Sequence, residues 1–343
     1  MTSKRTKLQE DTHFRGSRSD ERHSEMNSLQ VFDDPDYVIL EASRLGGKPV
    51  FFDKGEDQDV GLVAQDIPDT NASDLVSVYG YPDSFSAPCG KGPIDTNARL
   101  DRMAEEARRQ GQIAAYLRLG LAHETPSPLP ARDVTDASAI LVEVGEVVTI
   151  DLAQSIEQLM AGYRKQLRYD LRRSPKLRFD RSVDVDAFHK IYCENMQRVD
   201  ASGKYFFSVD YLFGLCRLPG VELWLAHDAD GVVAGGIFLQ QGERIYYHLG
   251  ATANRALAMS PLKHLLHDRI TALAQSGPTC LILGGGRGGE NDALLRFKRG
   301  FSRQTLPVHA LRVIFDPVMY ARISDLPQQP PSPTGFFPAY RAP

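Results

Sequence analysis

The sequence has few cysteines and no excess of basic residues. Its four cysteines, at positions 89, 193, 216 and 280, lie far apart and show no CxxC spacing. This argues against a zinc site and a disulfide framework, and is typical of a reducing cytoplasm. Lys and Arg total 40 against 44 Asp and Glu, a net charge of −4, so any site for a polyanion must be local.

Long apolar runs are also missing. No stretch approaches the roughly 18 to 20 apolar residues that cross a bilayer, and the N-terminal stretch up to Ser28 has no apolar core of the kind that a secretory signal needs. We therefore expect no membrane span and a cytoplasmic location. The 42% of hydrophobic residues among 343 is ordinary for a globular protein.

The chain divides into four regions. Residues 1–29 form a mixed-charge tail with almost no large apolar side chains, which predicts disorder. Residues 326–343 carry six prolines and predict an extended tail, whose Phe336, Phe337 and Tyr340 are candidates to dock on a neighbouring surface. Between the tails we expect two α/β domains, at 30–150 and 151–325.

The first of these domains shows strand-like runs in DYVILEA, KPVFFD, VGLVAQDI and DLVSVYGYP. A helix ending before Gly111 and two further strands, IAAYLRLGL and ILVEVGEVVTIDL, complete it. In the second domain, helices are predicted at 154–173, 184–199 and 208–217. Three strands follow, joined by the hairpin signals Asp230-Gly231 and Gln241-Gly242, so they form an antiparallel meander. A helix at 261–275, the strand TCLILGG, a short helix at 292–299 and a last strand close the order.

This order resembles the GNAT acyltransferase fold, and residues of about 150–305 are similar to the Fem family of aminoacyltransferases, which build peptidoglycan cross-bridges from aminoacyl-tRNA. Four features carry the resemblance: YRKQLRYDLRRSPKLRF, IYYHLGATANRALAMSP, LILGGGRGGEND and LLRFKRGFS. The phrase DLVSVYGYP also fits. The implied fold class is α/β (α+β): tandem GNAT-like domains, each a mostly antiparallel mixed sheet flanked by helices, the first largely non-catalytic. The chain is shorter than the peptidoglycan members and shows no helical-hairpin insertion of the kind that some of them use for tRNA, so a tRNA-dependent enzyme of small-molecule biosynthesis fits as well.

The start of the 261–275 helix is a candidate donor site. Ser260 can serve as N-cap and Pro261 as first helical residue. A helix N-terminus attracts phosphate, the resemblance implies that this end faces the donor, and Arg255 adds charge. The preceding loop lacks the glycine-rich form that cradles coenzyme A, which favours another phosphate-bearing donor. A plain capped helix is the alternative.

Two further features follow along the chain. Gly284, Gly285 and Gly286, with Gly288 and Gly289, come directly after an apolar strand and predict close approach of a ligand or of another strand; a flexible loop is the alternative. Lys298 ends a short helix, where a cation is favourable by itself. The resemblance implies instead that the Phe297-Lys298 pair places this lysine in the groove, against the developing oxyanion or a donor phosphate.

Arg164, Arg168 and Arg172 recur every four residues and are predicted to line one helix face. Like charges at this spacing repel, which points to an anionic partner: RNA phosphates or an anionic acceptor. A solvated basic face is the alternative. We assign these three arginines to donor binding.

Tyr246 and His248 are predicted to share one face of the third meander strand. His248 is a candidate general base, although a structural histidine is the alternative, and backbone N–H groups near Gly250 are candidate oxyanion donors. Tyr246 is assigned to the acceptor pocket.

Four other residues are assigned to the acceptor: Lys204, Tyr205, Glu290 and Asn291. The last two equally fit the cap of the following helix. No Ser/His/Asp or Cys/His spacing stands out, so no covalent intermediate is expected, and no ligand cluster suggests a metal or redox cofactor.

Three hypotheses follow. The first is an acyltransferase that moves an aminoacyl group from aminoacyl-tRNA to an amine or related nucleophile of a small molecule or peptidoglycan precursor. The second is an acyl-CoA-dependent GNAT N-acyltransferase. The third is a non-catalytic RNA- or ligand-binding module. The missing coenzyme A signature favours the first over the second, and the retained pattern from Gly284 to Lys298 counts against the third.

Overall fold

The computed structural model describes residues 29–52, 60–83, 96–121, 132–134, 137–173, 176–289 and 291–342. The predicted disordered tail, apart from Leu29, lies outside these ranges, as do Cys89 and Glu290. Among the residues described, no helix is long and apolar enough to span a membrane.

The first half of the chain contributes the following helices and strands to the fold. They are α1 (Pro35–Leu45), β1 (Lys48–Phe52), β2 (Val60–Asp66), β3 (Ser73–Val76), α2 (Thr96–Arg109), β4 (Gln112–Arg118), β5 (Arg132–Val134) and β6 (Ala137–Asp151). Strand β6 is long because its alternating Val, Ile and Leu residues suit a sheet with both faces covered.

The second half follows the predicted order. It comprises α3 (Ile156–Gly162), α4 (Lys165–Arg172), β7 (Arg178–Ser182), α5 (Val185–Arg198), α6 (Val209–Arg217), β8 (Val221–Asp228), β9 (Gly231–Gln241), β10 (Arg244–Thr252), α7 (Pro261–Leu273), β11 (Cys280–Gly284), α8 (Ala293–Lys298), β12 (Thr305–Ile314) and α9 (Pro317–Ser324). The meander β8–β9–β10 is antiparallel, as its hairpin turns predict.

All the described strands join one sheet, in the order β1-β2-β3-β4-β12-β6-β11-β10-β9-β8-β7, with β5 against β6. Within the described residues only β3–β4 and β10–β11 pair in parallel, so the predicted mixed α/β class with a mostly antiparallel sheet is confirmed. The sheet crosses residue 150 without a break, since β6 spans it and β12 pairs with both β4 and β6. The division at 150 and the tandem-domain reading stay predictions.

Two local predictions are wrong. DYVILEA is not a strand but the body of α1, because Asp34 caps the helix through Asp36 N, Pro35 takes the first position and Gly46 ends it with φ 65°. The single helix predicted at 154–173 is two helices, because Tyr163 and Arg164 adopt extended backbone between α3 and α4.

The proline-rich C-terminal segment returns to the first half of the sheet. Phe337 is 8% exposed and stacks on Tyr320, whereas Phe336 is 57% exposed. Arg341 pairs with the buried carboxylate of Asp74 on β3. The residues described up to position 342 therefore cover this end of the sheet.

Candidate active site

The candidate site is a cavity of about 450 Å³ at the point where two neighbouring strands diverge. Strands β10 and β11 are paired only from Arg244–Cys280 to Tyr246–Ile282, while β10 continues to Thr252. On its other side β10 stays paired with β9, through a bulge between Tyr247 and Leu249. The gap between β10 and β11 opens a cleft in the sheet, which is lined by residues from both halves of the chain.

Lys298 lies at one wall of this cavity. It is the last residue of α8, whose Leu295 is 1% exposed and anchors the helix in the core. The ammonium donates to the carbonyl of Gly285 at 2.8 Å, and the whole residue is 8% exposed. Burial lowers its pKa from 10.5 to about 8, against the opposing effect of Asp292. At pH 7 the ammonium is therefore mostly charged and retains two further protons to donate.

The glycine run has a close-packing role. A Cβ at Gly285 would lie 2.4 Å from the carbonyl oxygen of Glu146, and one at Gly289 would lie 2.1 Å from that of Val144. Both clashes are with the β6 backbone, so the close approach of another strand accounts for these two glycines. Gly284 has φ 82°, and a Cβ there would lie 2.9 Å from the Lys298 ammonium. Gly284, Gly285 and Gly286 all line the cavity.

Tyr246 and His248 both line the cavity, as their predicted common face requires. The His248 ring lies 5.2 Å from the Tyr79 ring, and its Nε2 is buried without a hydrogen-bond partner among the described residues. Burial lowers the His248 pKa to about 4. The imidazole is thus neutral at pH 7, and it is a weaker proton acceptor than a free histidine.

Gly250 borders the cavity for a steric reason. The hydroxyl of Tyr247 lies in the space that a side chain at Gly250 would occupy, 1.6 Å from an ideal Cβ. Only glycine at this position lets the Tyr247 ring lie against β10. Leu249 and Gly250, the β10 residues past the bulge, both line the cavity.

Residues of the first half form part of the wall, which the sequence did not predict. Tyr79, Tyr81 and Arg118 line the cavity, together with Phe32. Tyr81 stacks on Tyr246 at 5.7 Å. The phrase DLVSVYGYP carries both tyrosines, so this motif was the signal that could have identified them.

Of the predicted acceptor residues, Lys204 and Tyr205 line the cavity on a short 3-10 turn at Gly203–Tyr205. Asn291 is exposed and does not line it, and Glu290 lies outside the described residues. The cap of α8 is Asp292, which accepts from Leu295 N at 2.9 Å and pairs with Arg287. The acceptor roles of these residues stay predictions.

The two donor-site residues at the start of α7 lie away from the cavity lining. Ser260 holds the N-cap position with φ 50°, but its side chain makes no capping hydrogen bond, contrary to the prediction. Arg255 is paired with Asp228 at 2.7 Å and with the carbonyl of Val232. Its charge is thus partly neutralised within the chain.

The three basic residues of the predicted helix face differ in environment. Arg164 is the N-cap of α4 rather than a helical residue. Arg168 donates to the carbonyls of Ala161 and Tyr163 and so caps the end of α3. Arg172 is exposed, and no ion pair or hydrogen bond joins its side chain to the described residues. Arg168 and Arg172 are four residues apart within α4 and so share a face of that helix, while Arg164 directly precedes it; their role in donor binding stays a prediction.

Metal ligands are not grouped in the described residues: no cluster of three or more His, Cys, Asp and Glu could hold an ion there. Cys193, Cys216 and Cys280 are free thiols. Burial raises the pKa of Cys280 to about 11, which keeps that thiol protonated.

One stretch of the chain matches a known family model. Residues 161–299 match the model described as an acetyltransferase (GNAT) domain. No curated protein matches the chain by sequence.

Solved structures confirm the predicted Fem-like resemblance at the level of the fold. FemX is 14% identical with a TM-score of 0.62, over 89% of this chain and 98% of its own. The C-terminal DUF2156 domain of an Agrobacterium fabrum protein described as lysylphosphatidylglycerol synthetase is 14% identical with a TM-score of 0.55, over 85% and 92%. L-PGS from Bacillus licheniformis is 14% identical with a TM-score of 0.51, over 88% and 99%.

Proposed function

We propose that the chain transfers an aminoacyl group from aminoacyl-tRNA to an amine, or a related nucleophile, of a small molecule or peptidoglycan precursor in the cytoplasm. The observation that carries this proposal is the buried ammonium of Lys298 in a cavity that opens between diverging strands. An ester donor is already activated, so the reaction asks chiefly for positioning and for stabilisation of the tetrahedral oxyanion.

The cavity suits direct transfer. Lys298 uses one proton on Gly285 and has two left for a developing oxyanion. Past Tyr246, β10 is no longer paired with β11, so backbone N–H groups near Gly250 that face this side are a second kind of donor. None of the described residues that line the cavity is Ser, Thr or Cys, which supports a mechanism without an acyl-enzyme on a serine, threonine or cysteine side chain.

Two kinds of observation bear on the nature of the donor. FemX and L-PGS share the fold, and one neighbour is described as a lysylphosphatidylglycerol synthetase, a name that refers to an aminoacylated lipid. The exposed Arg172 supports contact with RNA phosphate. The family model named for acetyltransferases favours acyl-CoA as the second candidate donor.

The test uses purified protein, charged total tRNA and a mixture of candidate amines. Release of deacylated tRNA together with an acylated amine is the expected result, and RNase pretreatment should abolish it. Product that survives RNase and requires acetyl-CoA would establish the second donor instead. Lys298→Met should lose product, whereas Lys165→Met, which changes an exposed lysine of α4, should not.

A further inference from the structure

The side chains that line the cavity carry more positive than negative charge. Its two described carboxylates are each paired with an arginine: Glu146 with Arg299, and Asp292 with Arg287 at 3.2 Å. Three other cationic residues line the cavity: Arg118, Lys204 and Lys298. No ion pair joins any of these three to a carboxylate of the described residues. The cavity as described therefore favours an anionic occupant.

Arg118 is the cation best placed to bind such an occupant. It is the last residue of β4, where its backbone N–H donates to Ser77 Oγ at 2.9 Å and its Cα pairs with Ala310 of β12. These contacts fix the backbone from which the side chain extends. The guanidinium lies 5.7 Å from the centre of the Tyr81 ring. Because Tyr81 stacks in turn on Tyr246, the planar group is held by an aromatic wall.

The donors of this guanidinium are unused within the described residues. It carries five N–H groups in a fixed plane, and no side-chain hydrogen bond or ion pair to Arg118 exists in the described structure beyond its contact with Tyr81. Arginine in this state suits bidentate binding of a planar carboxylate or of a phosphate. An acetyl group or an apolar amine would leave these donors unmatched.

The position of Arg118 separates it from the reacting carbonyl. Strand β4 lies three strands from β11 in the order β4-β12-β6-β11, a spacing of about 14 Å across the sheet. Lys298 contacts the carbonyl of Gly285, which directly follows β11. Arg118 therefore extends from β4 and Lys298 from the end of α8, so the two cations reach the cavity from different elements.

We propose that Arg118 binds a carboxylate or phosphate group of the acyl acceptor, and so selects acceptors that carry an oxyanion as well as the nucleophile. This inference rests on the proposed acyl transfer, in which Lys298 and the diverging strands take the donor carbonyl. The first half of the chain then contributes specificity to a site whose chemistry lies in the second half.

Equilibrium binding tests this without requiring turnover. Isothermal calorimetry would compare matched probes on the wild-type protein: phenylalanine with phenylalaninamide, aspartate with asparagine, and phosphoethanolamine with ethanolamine. Adenosine monophosphate serves as a probe of the donor's nucleotide end. The same titrations use Arg118→Gln and, as a matched control, Arg109→Gln, which changes an exposed arginine in the last turn of α2.

In at least one pair, the anionic member should bind the wild type about 10- to 100-fold more tightly than its uncharged partner, as expected for charge-assisted hydrogen bonds. Arg118→Gln should remove this preference and Arg109→Gln should keep it. Comparing the preference in the two carboxylate pairs with that in the phosphate pair shows which of these groups Arg118 binds.

Three results would overturn the proposal. They are equal binding of both members in every pair, a preference that survives in Arg118→Gln, and Arg118-dependent binding of adenosine monophosphate alone, which would assign the residue to the donor. If the wild-type protein shows the Arg118-dependent preference for anionic probes but no acyl transfer, the proposed function is refuted and the role of Arg118 in binding stands.

Discussion

Replacing Lys298 by methionine should strongly reduce acyl transfer and at the same time stabilise the protein at pH 7. Burial lowers the Lys298 pKa from 10.5 to about 8. Each pKa unit corresponds to about 1.4 kcal/mol, so holding the ammonium charged in its buried place costs about 3 kcal/mol at pH 7. Methionine fills a similar volume without a charge. It loses the hydrogen bond to Gly285, worth about 1 kcal/mol, which leaves a net gain of about 2 kcal/mol.

The pH dependence of this gain follows from where the proton binds. Below pH 8 Lys298 is protonated in both the folded and the unfolded chain, so the cost of burial is fully present. Between pH 8 and 10.5 the folded chain has released the proton while the unfolded chain still holds it, so wild-type stability rises with pH. The advantage of Lys298→Met should therefore shrink by about 2 kcal/mol between pH 7 and 9.5. Other groups cancel in the difference.

Urea unfolding followed by the fluorescence of Trp224, the only tryptophan, measures this difference at each pH. Lys165→Met is the control and should show no such trend. Turnover measured on the same preparations should fall by about 10²- to 10³-fold in Lys298→Met. A stability difference that does not change with pH would refute the buried charge, and wild-type turnover in Lys298→Met would remove this residue from the chemistry.

Three further outcomes test other parts of the site. Arg168→Gln should lower the free energy of unfolding by about 1 kcal/mol because it removes the hydrogen bonds that cap α3. Arg172→Gln should leave the free energy of unfolding unchanged, but it should reduce the slope of the log tRNA-binding constant against log salt concentration by about 0.7. Equal effects of the two variants would contradict these assignments. Gly250→Ala should displace the Tyr247 ring and reduce turnover more than Gly162→Ala, which meets open space; a crystal structure of the variant with an unmoved ring would refute this. His248→Asn should leave the pH profile of turnover unchanged above pH 6, since the His248 pKa is about 4. If the variant instead loses a pH-dependent limb of the turnover profile near neutrality, the histidine acts as a base.

The second half of the fold could be predicted because its signals are local. Asp-Gly and Gln-Gly turns fix the meander β8–β10, and the helix before β11 starts at a Ser-Pro pair. The placement of β12 between β4 and β6 could not be predicted, because pairing partners about 160 to 200 residues apart leave no spacing signal in one sequence. DYVILEA was mistaken for a strand because its β-branched residues outweighed the caps at Asp34 and Gly46.

The same distinction applies to the site. His248 and the glycine run were found because each belongs to or follows a strand that its own neighbours in sequence predict, and Lys298 because the resemblance implied a place in the groove for the Phe297-Lys298 pair; all of them line the cavity. Tyr79, Tyr81 and Arg118 were missed as site residues because they join the cavity only through sheet pairing across the halves. Arg118 is a single basic residue in an apolar strand, a pattern that usually means an edge or a solvent-facing position.

A helix-capping role for Lys298 is physically insufficient to explain its position. A cation at a helix C-terminus gains about 0.3 to 1 kcal/mol, and it gains this while the side chain remains in water. The lysine here is 8% exposed, and its lowered pKa of about 8 implies a cost of about 3 kcal/mol for the charged form. The neighbouring Arg296 lies in the same last turn and remains exposed, so the helix end has a cation without burying one. The buried ammonium is unfavourable for the fold and becomes favourable when a negative charge forms in the cavity, as it does in a tetrahedral intermediate.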